Sequence, residues 1–98
     1  MKSCTNLDEV RQEIDKIDSE LISLIARRGE FVQQAAKFKK TAEDVKAPNR
    51  VEQVIGKVKS RAIELGADEK VVEAVYRAMI SAFIEAEMTE HTRLQRGR

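Results

Sequence analysis

The sequence predicts an all-α protein. Three observations favour this fold class: a long amphipathic segment near the start, two shorter ones behind it, and no strand-like alternation. In the first segment apolar side chains recur at alternating steps of three and four, the spacing of one helical face. These seam positions are Leu7, Val10, Ile14, Ile17, Leu21, Leu24, Phe31, Ala35 and Phe38. We predict a three-helix protomer forming one domain over residues 1–98, with residues 1–5 and 93–98 frayed.

The first helix, predicted from Leu7 to Lys40, is too long for this chain to cover alone. At ~1.5 Å per residue it makes a rod of roughly 50 Å. A compact chain of this length is only about 35 Å across. We therefore predict that a second copy covers the apolar face, in an intertwined antiparallel homodimer. Thr5 and Asn6 are both candidate N-caps, because an acidic residue follows each by three positions.

Two shorter helices follow a polar stretch, Thr41 to Ala47, which we interpret as a loop or a frayed extension of the first helix. Pro48 marks the start of the second helix, because its missing N–H has no partner in a first turn. Gly66 marks the end of that helix. Asp68 is a candidate cap for the third helix.

Composition excludes several classes of function. The 18 basic and 17 acidic residues leave a net charge of +1, without the positive excess that a nucleic-acid or membrane surface needs. Cys4 and His91 are each the single residue of their type, which argues against a disulfide or a metal site. No signal-peptide or membrane-length apolar run is present. We expect a cytoplasmic protein with no cofactor, metal, nucleic-acid or membrane partner.

Three cations on the first helix suggest an anion site. Arg28 occupies a position on the apolar seam. Lys39 follows it by eleven residues, within ~20° of the same face and ~16 Å away. Arg11 lies about 25 Å before Arg28, so it would serve that site only from an antiparallel partner helix. The alternative is that these are ordinary solvated cations.

Together with Arg50 at the start of the second helix, these cations would form a pocket without a nucleophile. Such a pocket suits a small dianion with two separated carboxylates, because Arg makes bidentate contacts with carboxylate. A reaction there would depend on conformation and electrostatics. Glu87 continues the apolar stripe of the third helix, so it lies at the edge of the bundle or faces a polar pocket.

Four motifs occur in a characteristic order: Val-Arg-Gln-Glu-Ile-Asp-Lys-Ile-Asp (10–18), Leu-Ile-Ala-Arg-Arg (24–28), Lys-Phe-Lys (37–39) and Ala-Pro-Asn-Arg-Val (47–51). In these motifs the chain resembles the small all-helical (type II) chorismate mutases and the related isochorismate-pyruvate lyases. The resemblance extends from Leu7 to about Met88. It implies a homodimeric, cofactor-free enzyme acting on a small dicarboxylate.

The resemblance also implies roles for the polar residues. Arg28 and Arg11 of the partner subunit would grip carboxylates, and Arg50 would support the substrate. Lys39 would donate to the ether oxygen that gains charge as the C–O bond breaks. Glu87 matches a second donor to that oxygen, and it would have to be protonated to donate.

Two departures from the mutases bear on the reaction. Mutases typically carry Glu, which holds the substrate hydroxyl, where this chain has Val51, and they often have Asp where it has Ala47. The 47–51 string looks more like the lyase branch, although that branch usually has Gln at the position of Glu87. We expect Val51 and Phe83 to contact the substrate.

We predict a chorismate mutase, which rearranges chorismate to prephenate. The first alternative is an isochorismate-pyruvate lyase that produces salicylate and pyruvate. The second alternative, from another class, is a non-catalytic helical dimerisation module.

Overall fold

A computed structural model describes residues 3–96, in which the regular secondary structure is helical throughout. The helices are α1 (Leu7–Ala36), α2 (Ala42–Lys46), α3 (Pro48–Glu64) and α4 (Glu69–Arg96). The all-α prediction is confirmed, and the three predicted helices correspond to α1, α3 and α4. None of the described helices is both long enough and apolar enough to cross a membrane.

The chain forms two compact units that divide between Val32 and Gln33, within α1. The first unit contains most of α1, and the second contains the end of α1 with α2, α3 and α4. The stretch predicted to fray at the C-terminus begins as helix, because α4 extends to Arg96. Residues 1, 2, 97 and 98 lie outside the described part of the chain.

Both predicted capping residues contribute to the start of α1. Asn6 caps the helix, since its Oδ1 accepts the Glu9 backbone N–H at 2.9 Å. The Glu9 carboxylate accepts the Thr5 N–H at 2.8 Å and the Thr5 hydroxyl at 3.0 Å. These bonds, the backbone one first, lower the pKa of Glu9, because they stabilise its ionised form.

The apolar seam of α1 is exposed along its length. No residue of α1 is buried in this single chain. Ile17 is 55% exposed, Leu21 49% and Leu24 53%. Apolar area on this scale is normally removed from water by packing.

The predicted continuation of α1 to Lys40 is wrong, because the helix ends at Ala36. The backbone N–H groups of Lys37, Phe38 and Lys39 bind carbonyls three residues back, at 3.0–3.2 Å, which tightens the last turn. The N–H groups of Lys40 and Thr41 then bind the Asp44 carboxylate instead of the helix.

The stretch predicted as a loop contains the short helix α2. Thr41 and Asp44 form a reciprocal capping box at its start. Ala47 follows α2 with φ 36° and ψ 60°, a left-handed conformation that is uncommon for a residue with a Cβ. Val45 is only 4% exposed, and α2 packs against α4.

The ends of α3 and α4 follow the sequence predictions. Pro48 occupies the first turn of α3. Gly66 adopts φ 74°, and the next N–H, of Ala67, bonds to the Ala62 carbonyl at 2.8 Å, which is a Schellman ending. The Asp68 carboxylate caps α4 by accepting two backbone N–H groups at 2.8 and 3.3 Å.

The core of the second unit lies where α2 and α3 pack on α4. Its buried apolar side chains are Val45, Ile55, Ala62 and Ile80. This small aliphatic core fixes the relative positions of α2, α3 and α4. The helix α3 carries Arg50 and Val51, and α4 carries Phe83 and Glu87.

A surface network of charges also joins α3 to α4. Arg77 on α4 makes a bidentate contact with Glu52 on α3, at 2.9 and 3.1 Å. The Arg77 Nε donates to Glu73 at 2.8 Å, and Lys59 lies 3.3 Å from the same carboxylate. The Arg77 hydrogen bonds lower the pKa of both carboxyl groups, with Lys59 contributing second at Glu73.

Candidate active site

Two predicted site residues meet in the second unit. The Lys39 Nζ donates to the Glu87 Oε2 at 3.0 Å, across 48 positions of sequence. The side chain of Lys39 is 24% exposed and that of Glu87 is 11% exposed. The surface pair Arg61–Glu64, by contrast, is 67% and 62% exposed. The Lys39–Glu87 pair is therefore well shielded from water, where electrostatic interactions are strengthened.

The packing of α4 accounts for the burial of Glu87. The stripe that Glu87 continues includes Ile80, which is buried, and Phe83 and Ile84, which are half-buried. Glu87 is therefore not a solvated residue at the edge of the bundle. A carboxylate in such a place needs a polar partner, and the Lys39 ammonium supplies one.

The pair leaves hydrogen-bonding capacity for a ligand. An ammonium group has three N–H donors, and Lys39 uses one of them for its hydrogen bond to Glu87. Lys39 can therefore donate to Glu87 and to a second acceptor at the same time. Glu87 accepts hydrogen bonds while it is ionised and can donate one only when protonated.

The first turn of α3 carries Arg50 and Val51. The Arg50 side chain is exposed, whereas Val51 is half-buried and its N–H binds the Ala47 carbonyl at 3.0 Å. Ala47, in its left-handed conformation, turns the chain from α2 directly into α3. Val51 presents only an aliphatic side chain, so it cannot hold a substrate hydroxyl as a glutamate would.

Arg11 and Arg28 lie in the first unit, on one continuous helix. Seventeen residues separate them, which corresponds to about 25 Å along α1. Arg11 is exposed and Arg28 is half-buried. A single small molecule cannot span both residues of one helix, so their joint use of a site remains a prediction about two chains.

Sequence analysis missed Asp44, whose carboxylate holds the backbone just after Lys39. Its Oδ2 accepts the Lys40 N–H at 3.1 Å and the Thr41 N–H at 3.2 Å. The signal was present as Thr-Ala-Glu-Asp at 41–44, a capping-box spacing. The helical pattern of the first helix lapses in this stretch, which favours a polar loop or a frayed extension of that helix.

Comparison with known proteins agrees with the motifs. The family model described as chorismate mutase type II matches residues 10–88. The chain is also similar to the isochorismate pyruvate lyase of Pseudomonas aeruginosa, with 32% identity over 96 residues that cover 98% of this chain and 94% of the relative. The family match covers the seam of α1 from Val10 onward, the Lys39–Glu87 pair and the first turn of α3. This chain belongs to the type II chorismate mutase family.

Proposed function

We propose that this protein is a chorismate mutase, which converts chorismate to prephenate without a cofactor or a covalent intermediate. Family membership indicates an enzyme of the chorismate mutase and isochorismate pyruvate lyase class. The observation that carries the proposed catalytic mechanism is the shielded contact between Lys39 and Glu87. It places a cation with spare donors beside an acid that can exchange a proton.

Lys39 has the main catalytic role in this proposal. As the C–O bond of the substrate breaks, its ether oxygen gains negative charge. A fixed ammonium donor stabilises that charge more strongly in the transition state than in the ground state, which raises kcat. Because Lys39 can keep its bond to Glu87 while it donates, the lysine need not reorganise when the substrate binds.

Glu87 supplies the second donor when it is protonated. Protonated Glu87 would then donate to the ether oxygen from α4 while Lys39 donates from the segment after α1. The two donors come from separate elements that α2 packing brings together.

Substrate binding is assigned to the arginines. Arg28 and Arg11 of the partner subunit would each grip a carboxylate, and Arg50 would support the substrate from α3. Holding both carboxylates restrains the flexible side chain of chorismate near its reactive conformation, which lowers the entropic part of the barrier. Val51 and Phe83, both half-buried, would provide apolar contact with the ring.

The proposed enzyme is an obligate homodimer. Support comes from the exposed seam of α1, which includes Ile14 at 49% and Phe31 at 65%. A second apolar face lies on α4, where the exposed residues Val71, Val75, Ala78 and Ala82 recur at steps of four, three and four. Small side chains allow close approach of a helix, so this face suits the α1 of a second copy.

The lyase is the second candidate function, and specific observations favour it. Val51 gives a substrate hydroxyl no hydrogen-bonding partner, and Ala47 replaces the Asp found in many mutases. The Pseudomonas aeruginosa relative, similar over nearly all of both chains, is an isochorismate pyruvate lyase. In that reaction pyruvate is eliminated from isochorismate, and the same ether-oxygen donors would assist the departing oxygen.

Separate incubation of the purified protein with chorismate and with isochorismate tests these proposals. We expect prephenate from chorismate, as identified by chromatography. Turnover of isochorismate alone, with salicylate and pyruvate as products, would replace the mutase with the lyase. Turnover of neither substrate would leave the non-catalytic dimerisation module as the better interpretation.

A further inference from the structure

Lys39 lies outside every helix, in the segment between α1 and α2. Its own N–H is held by the Ala36 carbonyl at 3.1 Å. A side chain placed on an irregular segment reaches a fixed point only if the surrounding backbone is also fixed. The backbone on the C-terminal side of Lys39 therefore needs restraints of its own.

One carboxylate provides those restraints. The Asp44 Oδ2 accepts the Lys40 N–H at 3.1 Å and the Thr41 N–H at 3.2 Å, the two amides directly after Lys39. The Thr41 hydroxyl accepts the Asp44 N–H at 3.1 Å in return. The Lys40 N–H first, and then the Thr41 N–H, hold the pKa of the Asp44 carboxyl below its usual range.

The residue next to Asp44 anchors this arrangement to α4. Val45 is 4% exposed, and α2 packs on α4. Because α4 also carries Glu87, the same helix supports Asp44 and the partner of the Lys39 ammonium. The lysine is thus fixed from both ends, by its backbone through α2 and by its side chain through Glu87.

We infer that Asp44 is a positioning residue for Lys39, which acts by clasping the two backbone amides that follow the lysine. The inference rests on the proposed function, because it assumes that Lys39 donates to the substrate. Asp44 itself does not touch the substrate. Its loss would let the Lys39 backbone shift, and a displacement of about 1 Å can reduce a rate by up to ~100-fold.

A structural experiment tests the clasp without any activity measurement. Backbone amide NMR of the full chain is recorded during acidification. We expect the Lys40 and Thr41 resonances to shift together with the protonation of Asp44, and Asp44→Ala to abolish that shift. Glu43→Gln is the matched control, since Glu43 lies beside Asp44 and contributes its backbone carbonyl to the end of α2. If the Lys40 and Thr41 amide resonances do not shift when Asp44 is protonated, the inference is wrong.

A kinetic experiment tests the route through Lys39. We expect Asp44→Ala to lower kcat about tenfold while KM changes by less than about twofold. Asp44→Asn keeps one oxygen acceptor for the two amides, so it should recover most of the lost kcat. If Asp44→Ala unfolds α2, Asp44→Asn is the variant that tests the inference. Glu43→Gln should leave kcat unchanged.

The decisive comparison repeats Asp44→Ala in a Lys39→Ala background. If Asp44 acts through Lys39, the second substitution should cause no further loss of kcat. An equal fractional loss in both backgrounds would overturn the inference, because Asp44 would then act independently of the lysine. A wild-type protein inactive on both chorismate and isochorismate would overturn the proposed function, and the amide titration would then decide the clasp alone.

Discussion

The Lys39 Nζ lies 3.0 Å from the Glu87 Oε2, and this contact joins the segment after α1 to the packed face of α4. In this pair each charged group has a counter-charge, so neither is left uncompensated in its partly buried position. The pair is also reactive in principle, since the ammonium keeps donors for a ligand and the carboxylate can accept a proton.

Glu87→Gln should keep a second donor beside Lys39. An ionised Glu87 can only accept hydrogen bonds, whereas a protonated Glu87 can also donate one. Glutamine donates through its amide nitrogen and still offers an oxygen to Lys39. The variant should therefore retain or exceed wild-type kcat at neutral pH.

The measurement is kcat at neutral pH for both proteins. Glu90→Gln is the control, because Glu90 is an exposed residue of the same helix that pairs with Arg93 at the surface. An inactive Gln variant would exclude Glu87 as a hydrogen-bond donor to the substrate. Glu87 would then serve only as the acceptor that holds Lys39.

Arg11→Ala and Arg28→Ala should complement each other. Each variant alone should lose about 30- to 1,000-fold in kcat/KM, because a charge-assisted bidentate contact of ~2–4 kcal/mol is removed. If each site combines Arg28 of one protomer with Arg11 of the partner subunit, mixed and refolded heterodimers will contain one intact site. Activity should therefore return on mixing.

Arg27→Ala is the control, since Arg27 is exposed and lies beside Arg28 off the apolar seam. Light scattering of the wild type at micromolar concentration should give a dimer. A stable folded monomer, or no recovery of activity in the refolded mixture, would contradict shared sites.

Arg77→Gln should remove a stabilisation of the α3–α4 packing that is present at neutral pH and lost in acid. The pKa values of Glu52 and Glu73 are lower in the folded chain, chiefly because Arg77 donates to their ionised forms. This stabilisation is fully present above the unfolded carboxyl pKa and is lost as pH falls through the folded values. The variant should unfold at a lower temperature at neutral pH, and its difference from wild type should shrink in acid.

Thermal unfolding followed by circular dichroism across that pH range is the appropriate measurement. Arg61→Gln provides the comparison, because Arg61 pairs with Glu64 inside α3 and does not link two helices. Its effect should be smaller, as is usual for an exposed pair within one helix. An Arg77→Gln difference that stays constant into acid would show that the carboxylates do not mediate the effect.

The helices that the sequence predicted best are those with strong local signals. The seam of α1 repeats over many turns, and Pro48, Gly66 and Asp68 each favour a particular helix boundary. All of these features are decided by side chains within a few residues of one another. For that reason α1, α3 and α4 could be predicted without any tertiary information.

The region from Ala36 to Ala47 was harder to predict, for two physical reasons. Asp44 and Thr41 compete with helix propagation by binding nearby backbone amides, so α1 ends early despite a favourable pattern. The five residues of α2 are also too few to show helical periodicity. Its place is set by the burial of Val45 against the rest of the second unit, which is a tertiary effect.

In the candidate site, too, the sequence predicted what local patterns specify and missed what depends on tertiary packing. Sequence reasoning selected Lys39 because it shares a helical face with Arg28, and it selected Glu87 separately, from its place on the apolar stripe of the third helix. Their direct contact depends on the packing of α2 on α4, which no local pattern specifies. Asp44 was overlooked because its role depends on where Lys39 finally lies.

The kcat of Lys39→Ala on chorismate tests the central claim most directly. Loss of a donor to a developing oxyanion typically lowers kcat by about 100- to 1,000-fold, and KM should change much less because the charge forms mainly in the transition state. Lys37→Ala, in the same segment but exposed, should behave like wild type. A Lys39→Ala variant with unchanged kcat, or one in which only KM rises, would contradict the proposed role of Lys39.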